Sequence, residues 1–187
     1  MISELAQIEA AKKGSVEAFT SLVNGYRPGL LRFLVTRTST YADAEDALQD
    51  TLINAYRYLH SYDSRWRFST WLYRIAVNNA AKIRRADTVE LGELSSEESG
   101  PLEQCVAAAD RENLWLSARN LLSDEAYAAM WLRYVEDMSV KDISAVLERS
   151  VSWTKVNLLR ARRLLEAKLS NETGGSPMQS ENSEAHG

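Results

Sequence analysis

The chain has 187 residues, 45% of them apolar and 26% charged, with a formal net charge of −4 and a pI near 5.3. That length suits one or two small domains with real cores, and no run of roughly 18 apolar residues is present to cross a membrane. One cysteine, Cys105, and two histidines offer neither an internal disulfide nor a metal-ligand cluster, so no metal or cofactor is expected.

The opening MISELAQIEAAKKG has no basic-then-apolar signal layout. It reads as an amphipathic helix over about 3–13, and a cytoplasmic protein without membrane insertion is expected. Gly14 and Ser15 end that helix and cap the next, which is predicted to run to about Thr38 with a kink at Pro28. Thr40 with Asp43 resembles a capping box, and a long helix follows to about His60. On it Ala44, Ala47, Leu48, Thr51, Leu52, Ala55, Tyr56 and Leu59 keep the three-and-four spacing of a buried stripe. The opposite stripe holds Asp46, Gln49, Asp50, Ile53, Asn54 and Arg57. It is either a solvated face or an acidic docking face for a basic partner, and Ile53 in its middle favours docking.

Residues 61–67, SYDSRWR, read as a loop, and a helix follows from about Phe68 to Arg85. Phe68, Trp71, Leu72, Ile75, Ala76, Asn79 and Ile83 form its inward side, whereas Arg74, Asn78, Lys82 and Arg85 share an outer face. Such a row suits phosphates, and Asn78 could read a base edge. Tyr62, Arg65 and Trp66 add the flat groups on which unstacked bases lie. Core aromatics beside a solvated basic face are the plain alternative.

Charge explains how an acidic chain could still meet nucleic acid. Residues 60–86 carry Arg65, Arg67, Arg74, Lys82, Arg84 and Arg85 against Asp63, and residues 149–168 carry Arg149, Lys155, Arg160, Arg162, Arg163 and Lys168 against Glu166. Between them lies an acidic segment, and patch charge rather than net charge governs phosphate contact. The expectation is an all-α chain of two small helical domains: 1–86, an acidic flexible linker at 87–106, a second domain at 107–170, and a disordered tail at 171–187.

The second domain should hold about four helices and end in a helix-turn-helix. Ser139 with Asp142 caps the first helix of the pair, with Ile143, Val146 and Leu147 inward, and Ser152 can cap the second. Thr154, Leu158, Ala161 and Leu165 make the buried side of that second helix. Its other side shows Ser152, Trp153, Lys155, Val156, Leu159, Arg160 and Arg163, where apolar groups beside arginine suit thymine methyls. A helical hairpin with a wet charged face, or a conventional regulator acting on DNA alone, would share this pattern. No Ser/His/Asp set and no phosphate-cradling glycine loop is present, so an enzyme is not expected.

Taken together, DAEDALQDTLINAYRYL (43–59), FSTWLYRIAVNNAAKIRR (68–85) and MSVKDISAVLERSVSWTKVNLLRARRLL (138–165) resemble regions 2.2, 2.3–2.4 and 4.2 of the extracytoplasmic-function (ECF) sigma factors, small subunits of bacterial RNA polymerase. The likeness covers about residues 10–86 and 110–168. It implies that Asp46, Gln49, Asp50, Ile53 and Asn54 dock on the β′ clamp helices, with the β flap a further polymerase contact. It places Ser64, Arg65 and Trp66 in a loop that pockets a flipped base of the −10 element, and Arg74, Asn78 and Lys82 against the melted strand. Ser152, Trp153, Lys155, Val156, Leu159 and Arg160 would meet the −35 duplex of promoter DNA. The linker would thread the polymerase cleft toward the RNA exit path, and an anti-sigma factor is a further partner the resemblance implies. Two positions depart from the family pattern: Glu148 and Arg149 stand where the turn usually has glycine, and Ser152-Trp153-Thr154 replaces Gly-Thr-Val.

Overall fold

Side-chain caps start most of the helices in a computed structural model that describes residues 3–90, 115 and 117–173, with side chains resolved except at 84–90 and 171–173. Ser3 Oγ accepts the Ala6 amide at 3.3 Å and opens α1 (Glu4–Lys12), and Ser15 Oγ accepts the Ala18 amide at 3.2 Å and opens α2 (Val16–Asn24). Gly14 between them has φ +97°, a left-handed conformation that side chains resist. The expected single helix to Thr38 is in fact two. The chain breaks at Gly25–Tyr26 and restarts as α3 (Arg27–Val35). Pro28 is the second residue of α3, where its missing N–H would have been an orphan anyway, so it starts a helix instead of kinking one.

The reciprocal box at the start of α4 (Tyr41–Tyr58) is present: the Asp43 amide donates to Thr40 Oγ1 at 3.1 Å, and the Thr40 amide donates to Asp43 Oδ2 at 2.9 Å. A 3-10 turn, Leu59–Ser61, and the loop lead into α5 (Phe68–Glu90), which continues past Arg85 into the first residues assigned to the linker. The rest of the linker, Cys105 and the tail beyond 173 lie outside the described residues. The second domain contains α6 (117–121), α7 (Asp124–Tyr134), α8 (Val140–Val146) and α9 (Val151–Thr173), and no strand occurs among the described residues.

In the first domain Leu30, Phe33, Leu34, Ala44, Ala47, Phe68, Leu72 and Ala76 are buried, and in the second Tyr127, Leu132, Ile143, Val146 and Ala161. Tyr56 leaves the stripe assigned to it. It is 42% exposed and meets Phe19 edge-on at 5.1 Å. Thr70 and Tyr73, outside the predicted inward side of α5, are buried as well. α8 packs across α5, joins the two domains and covers Thr70, whereas Tyr73 lies against Phe33 of α3 within its own domain, with Glu136 beyond its hydroxyl. Thr70 Oγ1 donates to Asp142 Oδ1 at 2.9 Å, and Arg37 Nη1 donates to the Asp124 carbonyl at 2.9 Å. Gly29 permits a further close approach: a Cβ there would stand 2.9 Å from Tyr73 Oη and 3.2 Å from a Glu136 carboxylate oxygen. Burial, and then the Glu136 charge, push the Tyr73 phenol far up, so it stays neutral.

Candidate functional site

Two helices of the first domain build a groove between them, and a polar ladder fixes their register. Asn79 is buried on α5; its Nδ2 donates to Thr51 Oγ1 at 3.3 Å, and its Oδ1 accepts from Asn54 Nδ2 at 3.2 Å. Thr51 in turn donates to the Ala47 carbonyl at 2.6 Å, so the buried polar groups are largely satisfied. Above this ladder lies an open groove of about 340 Å³ with Trp71 and Tyr58 as apolar walls and Arg74, Asn78 and Lys82 as its polar rim. Three of the four residues expected to share one outer face of α5, Arg74, Asn78 and Lys82, therefore do so, and the side chain of Arg85 lies outside the described residues. Asn54, expected among the acidic docking residues, instead turns to α5 and lines this groove.

The loop at one end of α5 is tied down at several points although much of it is exposed. Tyr62 is buried against Phe68 and Trp71, and its hydroxyl donates to the Trp66 carbonyl at 2.7 Å. Lys12 of α1 reaches across to donate to the Tyr62 carbonyl at 3.1 Å. Asp63 accepts from both the Arg65 amide (2.9 Å) and Arg65 Nε (2.7 Å). Those hydrogen bonds, followed by the arginine charge, hold the Asp63 carboxyl below its ordinary value. Ser64 and Arg65 are exposed, whereas Trp66 is half-buried with the Lys141 ammonium 5.1 Å from its ring centroid. The loop thus presents a small hydroxyl, a guanidinium and an indole beside the basic groove, already ordered.

On the far side of α4, Asp46, Gln49 and Asp50 are exposed, and Ile53 is 40% exposed. Ile53 leads into a second groove of about 310 Å³ against α2, floored by Phe19, Val23, Leu52 and Tyr56. The charged residues lining this furrow are Arg27 and Arg57, and the carboxylates Asp46 and Asp50 stand outside it on the same helix as Ile53.

In the second domain Thr154, Ala161 and Leu165 are buried and Leu158 packs on the core, as the spacing required. Ser152, Lys155, Val156, Leu159 and Arg160 are exposed together. Ser150, and not Ser152, caps α9: its Oγ accepts the Trp153 amide at 3.0 Å, and Ser152 is left on the outer surface. Trp153 is only half-exposed, with the Arg149 guanidinium 5.6 Å from its ring centroid and Glu125 paired with that arginine. Glu148 holds the turn with φ +54°. Among the described residues no group of histidine, cysteine and carboxylate side chains could hold a metal ion.

Residues 22–88 match the family described as Sigma-70 region 2, and residues 116–165 match Sigma-70, region 4. The ECF RNA polymerase sigma-E factor of Escherichia coli K12 is 30% identical over 90% of this chain and 95% of its own length. That of Haemophilus influenzae is 28% identical over 90% and 96%. The chain belongs to the ECF sigma factors of the sigma-70 family. As a member it binds core RNA polymerase and directs promoter-specific initiation, and a regulator acting without polymerase is not favoured by matches that span both domains. Two solved structures share the fold. CnrH in complex with the cytosolic domain of CnrY has a TM-score of 0.66 at 24% identity, covering 91% of this chain and 97% of that one. The sigma factor RpoE in complex with the anti-sigma factor NepR, from Bartonella quintana, has a TM-score of 0.65 at 23% identity, covering 83% and 98%. No helix among the described residues is long and apolar enough to cross a membrane.

Proposed function

We propose that this ECF sigma factor divides its work between the surfaces described above. Arg74, Asn78 and Lys82, with Asn54 at the groove edge, face the melted −10 strand, and Ser64, Arg65 and Trp66 pocket a base flipped from it. Capturing a base offsets an unstacking cost of a few kcal/mol, and an ordered loop loses little entropy in doing so. Ser152, Lys155, Val156, Leu159 and Arg160 meet the −35 duplex, with Trp153 packed at their edge. Asp46, Gln49, Asp50 and Ile53 dock on the polymerase β′ clamp helices. The domains run over 1–86 and 107–170, joined by the linker 87–106. The protein works in the cytoplasm, performs no chemistry of its own, and is held inactive by an anti-sigma factor.

The observation that supports this best is the adjacency of a preordered aromatic–arginine loop to a basic groove of about 340 Å³. The test is reconstitution with core polymerase and transcript-start mapping across genomic DNA. Arg74→Ala with Lys82→Ala should abolish promoter opening, read by permanganate reactivity, while retaining upstream duplex contact. Identical starts with and without the chain would overturn the proposal.

A further inference from the structure

The turn of the helix-turn-helix reaches back to the first domain. Arg74 Nε and Nη2 both donate to Glu148 Oε1, at 3.0 and 2.7 Å. The same arginine rims the groove assigned above to the melted strand. Lys141 covers the Trp66 indole, and Asp142 binds Thr70 one turn before Arg74 on α5. Three residues of one short surface, α8 and its following turn, therefore sit on the −10 side of the first domain. The −35 face of α9 remains exposed in the same arrangement.

Glu148 adopts φ +54°, a left-handed conformation that disfavours a residue with a Cβ and favours glycine. A strained residue persists where something else fixes it. Here the Arg149 amide fixes the turn by donating to the Ser144 carbonyl at 3.0 Å, and the side chain that this capping residue carries is a carboxylate that reaches a DNA-facing arginine.

We propose that α8 and the Glu148 turn form an intramolecular clasp in which the Glu148 carboxylate occupies Arg74 in place of a DNA phosphate, so that strand capture requires the two domains to separate. The inference rests on the −10 assignment of Arg74. Both side chains of the pair are about half-exposed, 54% and 55%, so the bias it adds is modest. An exposed ion pair shifts such an equilibrium by at most about five-fold. That is the share of the ion pair alone, beside the Thr70–Asp142 and Arg37–Asp124 contacts between the domains, and apparent strand affinity falls in proportion to the closed fraction.

Small-angle X-ray scattering on the full chain tests the clasp, and fluorescence anisotropy with a labelled mixed-sequence single-stranded oligonucleotide tests the competition. Glu148→Arg and Arg74→Glu should each raise the radius of gyration, and the charge-swapped double variant should return it toward the wild-type value. Gly29→Ala, which displaces Tyr73 and Glu136 without touching the groove, should also expand the chain. Glu148→Gln should bind the oligonucleotide about two- to five-fold more tightly than wild type. Equal radii in all these variants would overturn the clasp. An expanded Glu148→Arg with no gain of strand affinity in Glu148→Gln would overturn the competition. Unchanged strand binding in Arg74→Ala would instead strike the groove assignment, and the two failures are distinguishable because the scattering arm does not depend on DNA.

Discussion

Asn79→Ala tests whether the polar ladder sets the register of α4 against α5. The substitution removes the bond to Thr51 Oγ1 (3.3 Å) and the bond from Asn54 Nδ2 (3.2 Å). Thr51 keeps its donor bond to the Ala47 carbonyl, and the half-buried Asn54 amide can turn to water, so no donor is stranded. The cost is then two ordinary hydrogen bonds plus a small cavity, about 2 kcal/mol in all. For a chain of this size each kcal/mol lowers Tm by about 2–4 °C, so a fall of roughly 4–8 °C is expected. Thr51→Val isolates the shared bond. A double-mutant cycle by urea denaturation should give a coupling of about 1 kcal/mol between the two sites. Additivity within about 0.3 kcal/mol would refute the argument, because independent sites behave in that way. Asn54 would also lose its anchor at the groove edge, so promoter opening by Asn79→Ala should fall even at temperatures where the chain remains folded.

Three other measurements address separate surfaces. Arg160→Ala should cost roughly 1–3 kcal/mol at a −35 duplex if it reads a base edge, and should lower the salt slope by about one if it only holds a phosphate; promoter affinity equal to wild type would contradict the exposed face chosen for α9. Reversing Asp46 and Asp50 to lysine should abolish polymerase-dependent transcription while leaving −35 duplex binding intact, and equal loss of both would remove the docking role. Tyr127 is buried, and burial pushes its phenol up to about 12. The folded state keeps a proton that the unfolded state releases near pH 10, so its contribution is present below pH 10 and is lost as pH rises toward 12, up to roughly 2–3 kcal/mol. Tyr127→Phe should therefore flatten the alkaline fall of the urea midpoint, and an unaltered profile would argue against that burial.

Local chemistry was legible in the chain and distant chemistry was not. The Thr40–Asp43 box, the Gly14–Ser15 stop and the buried stripe of α9 each depend on residues within a few positions of one another, and each formed as read. The break at Gly25–Tyr26 was hidden because Pro28 can kink a helix or start one, and spacing does not distinguish these. Ser152 and Ser150 are indistinguishable as caps for a similar reason: two hydroxyls near one helix start look alike until the helix register is known. Thr70 and Tyr73 fall outside the inward stripe of α5 because what buries them is distant in the chain: Asp142 for Thr70, and Phe33 with Glu136 for Tyr73. Their environment is made by other elements of the first domain and by the second, which periodicity within one helix does not report.

The same distinction explains the Glu148 position. Read within its own hairpin, the left-handed Glu148 lets the Arg149 amide donate to the Ser144 carbonyl at 3.0 Å and close α8, a cap that glycine would make with less strain and without a carboxylate. Read across the domains, it is the residue that reaches Arg74. In the clasped arrangement the acidic face of α4 and the −35 face of α9 both remain exposed. Under the proposed assignments, polymerase docking and duplex recognition would come first, and the groove rimmed by Arg74 would become fully available only after the domains part. On that proposal the Glu148 carboxylate, paired with Arg74, would order those events without closing any surface needed for the earlier ones.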